Sequence, residues 1–151
     1  MAPIFADPNA FAELTSDLVA PFIDAKPTVV AAIDALGFVL GSALALHLKV
    51  PLLLIRKGGK LPTAVDSESF VDYSGIKKSL ELTKHSVPPG ARVLVVDEWV
   101  ETGAQAQAAA NLIERQGAEV VGIVAVNIDD TPGTRELASK YRCKSAVTVG
   151  R

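Results

Sequence analysis

Apolar residues in this chain alternate between short dense runs and stretches with a helical rhythm, from one end to the other. Asp7-Pro8 opens the first such rhythm, and Phe11, Leu14, Leu18 and Val19 return to one face ahead of Phe22. That spacing behind an acid and a proline predicts a capped amphipathic helix. Thr28 to Ile33 is a β-branched run bounded by Pro27 and Asp34, which predicts a buried strand. Gly37 to Leu48 carries alanines and leucines in helical spacing, and Val50 to Ile55 reads as the next strand. Pro51 is tolerated there because it lies among the strand's first residues. Lys78 to Val87 alternates loosely through Leu80 and Leu82 until Pro88-Pro89-Gly90 ends it. Val93 to Val96 predicts a fully buried strand. A small-residue helix follows from about Ala106 to Arg115, with Gly117 as its C′ residue. Val120 to Val126 is another buried strand, Thr131-Pro132 opens a helix to about Tyr141, and Ser145 to Val149 is a terminal strand.

This alternation is the signature of an α/β fold: a mostly parallel, doubly wound sheet flanked by helices, with ligands at the carboxyl ends of the strands. The 151 residues form one domain, 1–151, large enough for a proper core. Between Arg56 and Lys77 glycines, lysines and polar residues dominate, with Ser67-Glu68-Ser69 and Asp72-Tyr73-Ser74-Gly75 supplying turn chemistry. Such a segment predicts a flexible, functional loop at about 57–77.

Composition narrows the partners. Apolar residues make up 49% and charged residues 21%, as in a compact folded protein. A net charge of −2 leaves no electrostatic footprint for nucleic acid. Cys143, the single cysteine, excludes an internal disulfide and a cysteine-rich metal site, and is expected to be an inert thiol. No signal peptide is read at the start and no apolar run is long enough for a bilayer, so the expectation is a cytoplasmic protein without membrane contact.

The candidate chemistry lies in Val93-Leu94-Val95-Val96-Asp97-Glu98-Trp99-Val100-Glu101-Thr102-Gly103-Ala104-Gln105. Two carboxylates stand where a strand ends, and a short loop leads into a helix. The unpaired N–H groups and the positive dipole end of that helix suit a phosphate, and the acids suit sugar hydroxyls. A sugar phosphate is the ligand class this arrangement fits.

That run resembles the phosphoribosyl-pyrophosphate (PRPP) motif of the type I phosphoribosyltransferases: four apolar residues, two acids, three variable residues, then Thr-Gly and two small or polar residues. Four other stretches resemble the same family, its adenine-specific branch most, in order and over nearly the whole chain. They are Pro3 to Pro8 with Phe11, Ala31 to Phe38 with Gly41, Leu53 to Pro62, and Pro89 to Val93.

The resemblance implies a phosphoribosyltransferase that joins phosphoribose to a purine-type base, adenine above others, and releases pyrophosphate. Asp97 and Glu98 take the catalytic, ribose-binding place, with Mg²⁺ reached indirectly through them. The PRPP-binding set is Asp34, Ala35, Leu36, Arg56, Lys57, Lys60, Glu101, Thr102, Gly103, Ala104 and Gln105, and Trp99 and Val100 face the base. A homodimer, paired through the region after Asp34–Gly37, is implied too.

Bland readings stand beside these. Trp99 is also a candidate packing anchor, Lys57 and Lys60 candidate solvated charges, and Arg56 a candidate dimer contact. Asp72 and Glu68 lie where relatives keep an acid on a flexible loop, but the local match is poor.

The departures are as specific as the matches. Ala35-Leu36 replaces the family's Ser-Arg, which removes a charge-assisted contact worth roughly 1.5–3 kcal/mol. Ala104 and Gln105 replace Gly-Thr, and Glu98 the second Asp. A left-handed backbone at residue 104 would cost its Cβ about 1–2 kcal/mol. The N-terminal hood that adenine-specific relatives use on the base is expected to be missing. These departures keep open a non-catalytic PRPP- or nucleotide-binding protein on the same fold.

Overall fold

The structure is a computed structural model that describes residues 2–147. In chain order the elements are α1 (Ala2–Ala6), α2 (Pro8–Val19), a 3₁₀ turn (Ala20–Ala25), β1 (Val29–Ile33), α3 (Leu36–Leu48), β2 (Leu52–Lys57), β3 (Val65–Val71), β4 (Lys77–Thr83), β5 (Arg92–Val100), α4 (Ala104–Arg115), β6 (Glu119–Ile128), α5 (Pro132–Lys140) and β7 (Cys143–Ser145). Local chemistry explains several of these boundaries. Asp7 Oδ1 accepts from the N–H groups of Asn9 and Ala10 at 2.9 and 3.1 Å, satisfying two of the free donors of α2. Thr131 caps α5 reciprocally with Thr134, and Pro132 follows at the first helical position.

Among the described residues, seven strands form one sheet in the order β3-β4-β2-β1-β5-β6-β7. The run from β2 through β1, β5 and β6 to β7 is parallel. The β3–β4 hairpin joins its edge antiparallel to β2. All five residues of β1 are buried, which explains why it reads as an unbroken apolar run. One sheet face, through Val30, Leu94, Val96 and Val124, packs on Leu14, Leu18, Phe22, Leu40 and Leu44 from the first half of the chain. The other, through Ala31, Val93, Val95, Ile123 and Ala125, packs on Ala109, Leu112, Ile113 and Leu137 of α4 and α5. Each large buried side chain contributes roughly 1.5–3 kcal/mol by leaving water. The parallel register pairs Ile33 with Ile55 and Ala32 with Val96, so the carboxyl ends of β1, β2 and β5 lie side by side.

Three expectations need correction. The segment 56–77 is not irregular: it carries β3, and Val65 to Val71 pairs along its whole length with Lys77 to Thr83. Its inward face is polar, and α4 satisfies it: Gln116 Nε2 donates to Asp66 Oδ2 at 3.0 Å, Asn111 Nδ2 to Glu68 Oε1 at 3.2 Å, and Arg115 pairs with Glu68. Helix α4 begins at Ala104 rather than Ala106, so Ala104 and Gln105 form its first turn. The last strand lies at Cys143–Ser145, two residues early, and the remainder of the expected strand, Thr148 and Val149, lies outside the described residues.

Candidate active site

Asp97 sits at the end of the central strand β5 and is only 6% exposed. Its carboxylate is held by one donor on each oxygen. The Glu98 backbone N–H donates to Oδ1 at 2.8 Å, and Gln105 Nε2 donates to Oδ2 at 2.9 Å. Behind it, helix α3 approaches closely at a glycine: a Cβ on Gly37 would stand 3.0 Å from the Val96 carbonyl oxygen and 3.3 Å from Asp97 Cα. Burial pushes the carboxyl up to about 7, the Gln105 and Glu98 bonds and Lys57 oppose this, and the Glu98 charge adds to it. A carboxylate taken out of water at a strand's carboxyl end is a strong pointer to a functional role.

The loop after β5 turns into α4 at Gly103, whose φ of +84° is the left-handed conformation that glycine adopts without strain. Ala104 is an ordinary helical residue, so the cost of a left-handed Cβ at that position does not arise. The Ala104 N–H donates to Thr102 Oγ1 at 3.3 Å. From behind, the β6–α5 turn braces this loop. Thr131 Oγ1 donates to the Glu101 carbonyl at 3.3 Å, and the Asp129 N–H donates to the Val100 carbonyl at 2.9 Å.

A cleft of about 290 Å³ opens over this constellation. Of the residues singled out in the sequence, it brings together Lys57, Asp97, Trp99, Val100, Glu101, Thr102 and Gln105. Trp99 is 47% exposed, as a packing anchor would not be, whereas Val100 is buried at 3% and contributes mainly to the core. The β3–β4 hairpin supplies lining residues that the sequence reading left out: Phe70, Tyr73 and Lys78, with Asp72 between them. Asp72 Oδ1 accepts from the N–H groups of Ser74 and Ile76, and Lys78 pairs with Oδ2 at 2.5 Å. These contacts hold the Asp72 carboxyl well below the usual carboxylate range. The signal was present in Asp72-Tyr73-Ser74-Gly75, a hairpin turn rather than a loop interior.

Other candidates lie outside this cleft. Asp34, at the end of β1, accepts from Arg56 Nε at 3.3 Å and from the Lys57 N–H at 3.4 Å, so Arg56 is committed to an ion pair here. The Asp34-Ala35 peptide is cis, and Ala35 and Leu36 are exposed beyond it. Lys60 is exposed in the stretch after β2. Glu98 alternates away from Asp97 along β5, and Gly103 and Ala104 line a neighbouring cleft toward α5. Glu68 faces α4 and takes no part in the site.

Among the described residues no three or more His, Cys, Asp or Glu side chains converge as a metal cage. Two adjacent carboxylates at a phosphate-sized loop fit a hard cation such as Mg²⁺, which keeps waters and draws its other oxygens from a substrate's phosphates.

The family model of the phosphoribosyl transferase domain matches residues 4–149. An adenine phosphoribosyltransferase of Dinoroseobacter shibae is 42% identical over 135 residues, 89% of this chain and 75% of that protein. The solved adenine phosphoribosyltransferase of Thermoanaerobacter pseudethanolicus superposes with a TM-score of 0.88 at 32% identity, covering 95% of this chain and 83% of its own. That of Saccharomyces cerevisiae, complexed with an imino-altritol bisphosphate and adenine, gives 0.85 at 28% identity, covering 97% and 84%.

Proposed function

The chain belongs to the phosphoribosyl transferase family, and we propose that it transfers the 5-phosphoribosyl group of PRPP to adenine, forming AMP and releasing pyrophosphate. The observation that carries this reading is the buried Asp97 carboxylate, bonded through Gln105 to the first turn of the helix that follows Thr102-Gly103. One rigid unit thus offers acceptors for ribose hydroxyls beside N–H donors for a 5′-phosphate. In the reaction a ring nitrogen of adenine bonds to C1′, the bond from C1′ to the pyrophosphate oxygen breaks with its electron pair, and the nitrogen sheds its proton. Positioning and charge stabilisation are the protein's contribution.

Trp99, Tyr73 and Phe70 offer apolar faces for the base at the same cleft, and Lys57 offers positive charge to the leaving group. Mg²⁺ would be held through Asp97 and Glu98, and when bound it neutralises charge on the pyrophosphate. The flexibility expected at 57–77 translates into movement of the β3–β4 hairpin as substrate enters.

The working state in this reading is a cytoplasmic homodimer. Leu36, Val39 and Leu46 leave α3 exposed at 45, 43 and 80%, beside Leu54 of β2 at 42%. A second copy covering this face with the same face removes it from water. No helix of the described residues is long and apolar enough to cross a membrane.

The deciding experiment incubates the protein with PRPP and Mg²⁺ against a panel of bases and measures pyrophosphate and nucleotide formed. AMP formation with adenine is expected. Release of pyrophosphate with none of the bases, in a protein that binds PRPP, would overturn the reading.

A further inference from the structure

We propose that Gln105 is the positioning residue of Asp97 and, through it, sets a preference for ribosyl over 2′-deoxyribosyl phosphates. The inference rests on the reading above, in which Asp97 receives the ribose hydroxyls. Each carboxylate oxygen has two lone-pair sites. In Asp97 one is already taken on each side, Oδ1 by the Glu98 N–H at 2.8 Å and Oδ2 by Gln105 Nε2 at 2.9 Å. What remains is one acceptor site per oxygen, a pair that matches the two adjacent hydroxyls of a ribose. A 2′-deoxy sugar fills only one of them and leaves a desolvated acceptor unmatched, the condition under which a polar site discriminates most.

The two donors differ in kind. The Glu98 N–H belongs to the strand and is immediate to Asp97, whereas the Gln105 amide reaches across from the second residue of α4. Gly37 permits α3 to close the space behind Asp97, leaving the carboxylate plane governed chiefly by rotation toward or away from Gln105. Since Gln105 also belongs to the turn that meets the 5′-phosphate, it ties the position of the phosphate to the orientation of the ribose acid. Backbone donors alone make no such link. A residue too short to reach Asp97 would leave the cradle intact and the carboxylate free to turn.

The test compares AMP with 2′-deoxy-AMP by titration calorimetry in metal-free buffer, for the unaltered chain and for Gln105→Met and Gln105→Asn. The first variant keeps length without a donor, and the second keeps the amide without the reach. The unaltered chain is expected to favour AMP at least tenfold, and both variants are expected to bring the ratio below threefold by losing AMP affinity selectively. Melting temperatures identify any variant that fails to fold, and the other then decides. A ratio unchanged in a folded variant, or a parallel loss of both nucleotides, would overturn the role of Gln105. So would equal binding of the two nucleotides by the unaltered chain, with adenine turnover still standing as a separate result. If the unaltered chain binds neither nucleotide and makes no AMP, the reading of the site fails and takes this inference with it.

Discussion

Gly133 meets Thr102 so closely that a Cβ on residue 133 would lie 2.0 Å from the Thr102 carbonyl oxygen. The two residues are 31 positions apart, and their contact seats the phosphate-side loop against the start of α5. From the opposite direction, a Cβ on Gly103 would stand 3.0 Å from the Gly133 carbonyl oxygen. The loop is therefore shaped by an element with no direct part in binding.

Gly133→Ala tests this contact. The methyl group forces the Thr102 carbonyl to move, and overpacking of this kind costs roughly 1–3 kcal/mol. Urea unfolding is expected to show that loss. In the folded fraction, KM for PRPP rises about tenfold or more while the turnover number falls less. A variant with unchanged KM would mean that the loop tolerates displacement.

Asp97 makes stability depend on pH. Its carboxyl titrates at about 7 in the folded protein against an ordinary 3.8. Between these values the folded chain holds a proton that the unfolded chain has released. Folding free energy therefore weakens as pH rises from about 4 to about 7, by at most roughly 1.4 kcal/mol per pH unit for one proton. Above that window both states are ionised and the penalty is complete. Asp97→Asn removes the titration, so its urea midpoint is expected to change less than that of the unaltered chain between pH 4.5 and 7. Parallel profiles would show that Asp97 is ionised throughout.

Gln116, just past α4, joins the hairpin to the rest of the domain. Its Oε1 accepts from the N–H groups of Ser86 and Val87 at 3.1 and 3.0 Å, and its Nε2 donates to Asp66 Oδ2 and the Thr83 carbonyl, both at 3.0 Å. Gln116→Leu keeps the volume and strands these partners, each at a cost of about 1–3 kcal/mol where water cannot replace the bond. A loss of at least 2 kcal/mol is expected by chemical denaturation, with faster amide exchange over 65–83. A loss under 0.5 kcal/mol would mean that water takes over all four bonds.

The strands that core the sheet were legible because burial on both faces leaves an unbroken apolar run, as in Val29–Ile33 and Val93–Val96. Asp7-Pro8 and Thr131-Pro132 announced their helices for a local reason: a cap acts within four residues. The acids after Val96, followed by Thr102-Gly103, were visible in the same way, and the family resemblance placed them together. Strand β3 was not legible. Its inward residues Asp66 and Glu68 are polar, and their partners Gln116, Asn111 and Arg115 lie more than 40 residues away. The same distance in sequence hid Phe70, Tyr73 and Lys78 from the cleft they line. Asp97 was named from the chain alone, but its burial, its proton and its bond to Gln105 arise from packing of α3 and α4 around β5. Pattern records what a residue needs from water and from its near neighbours. Which distant side chain answers a buried polar group is set when the elements close on one another.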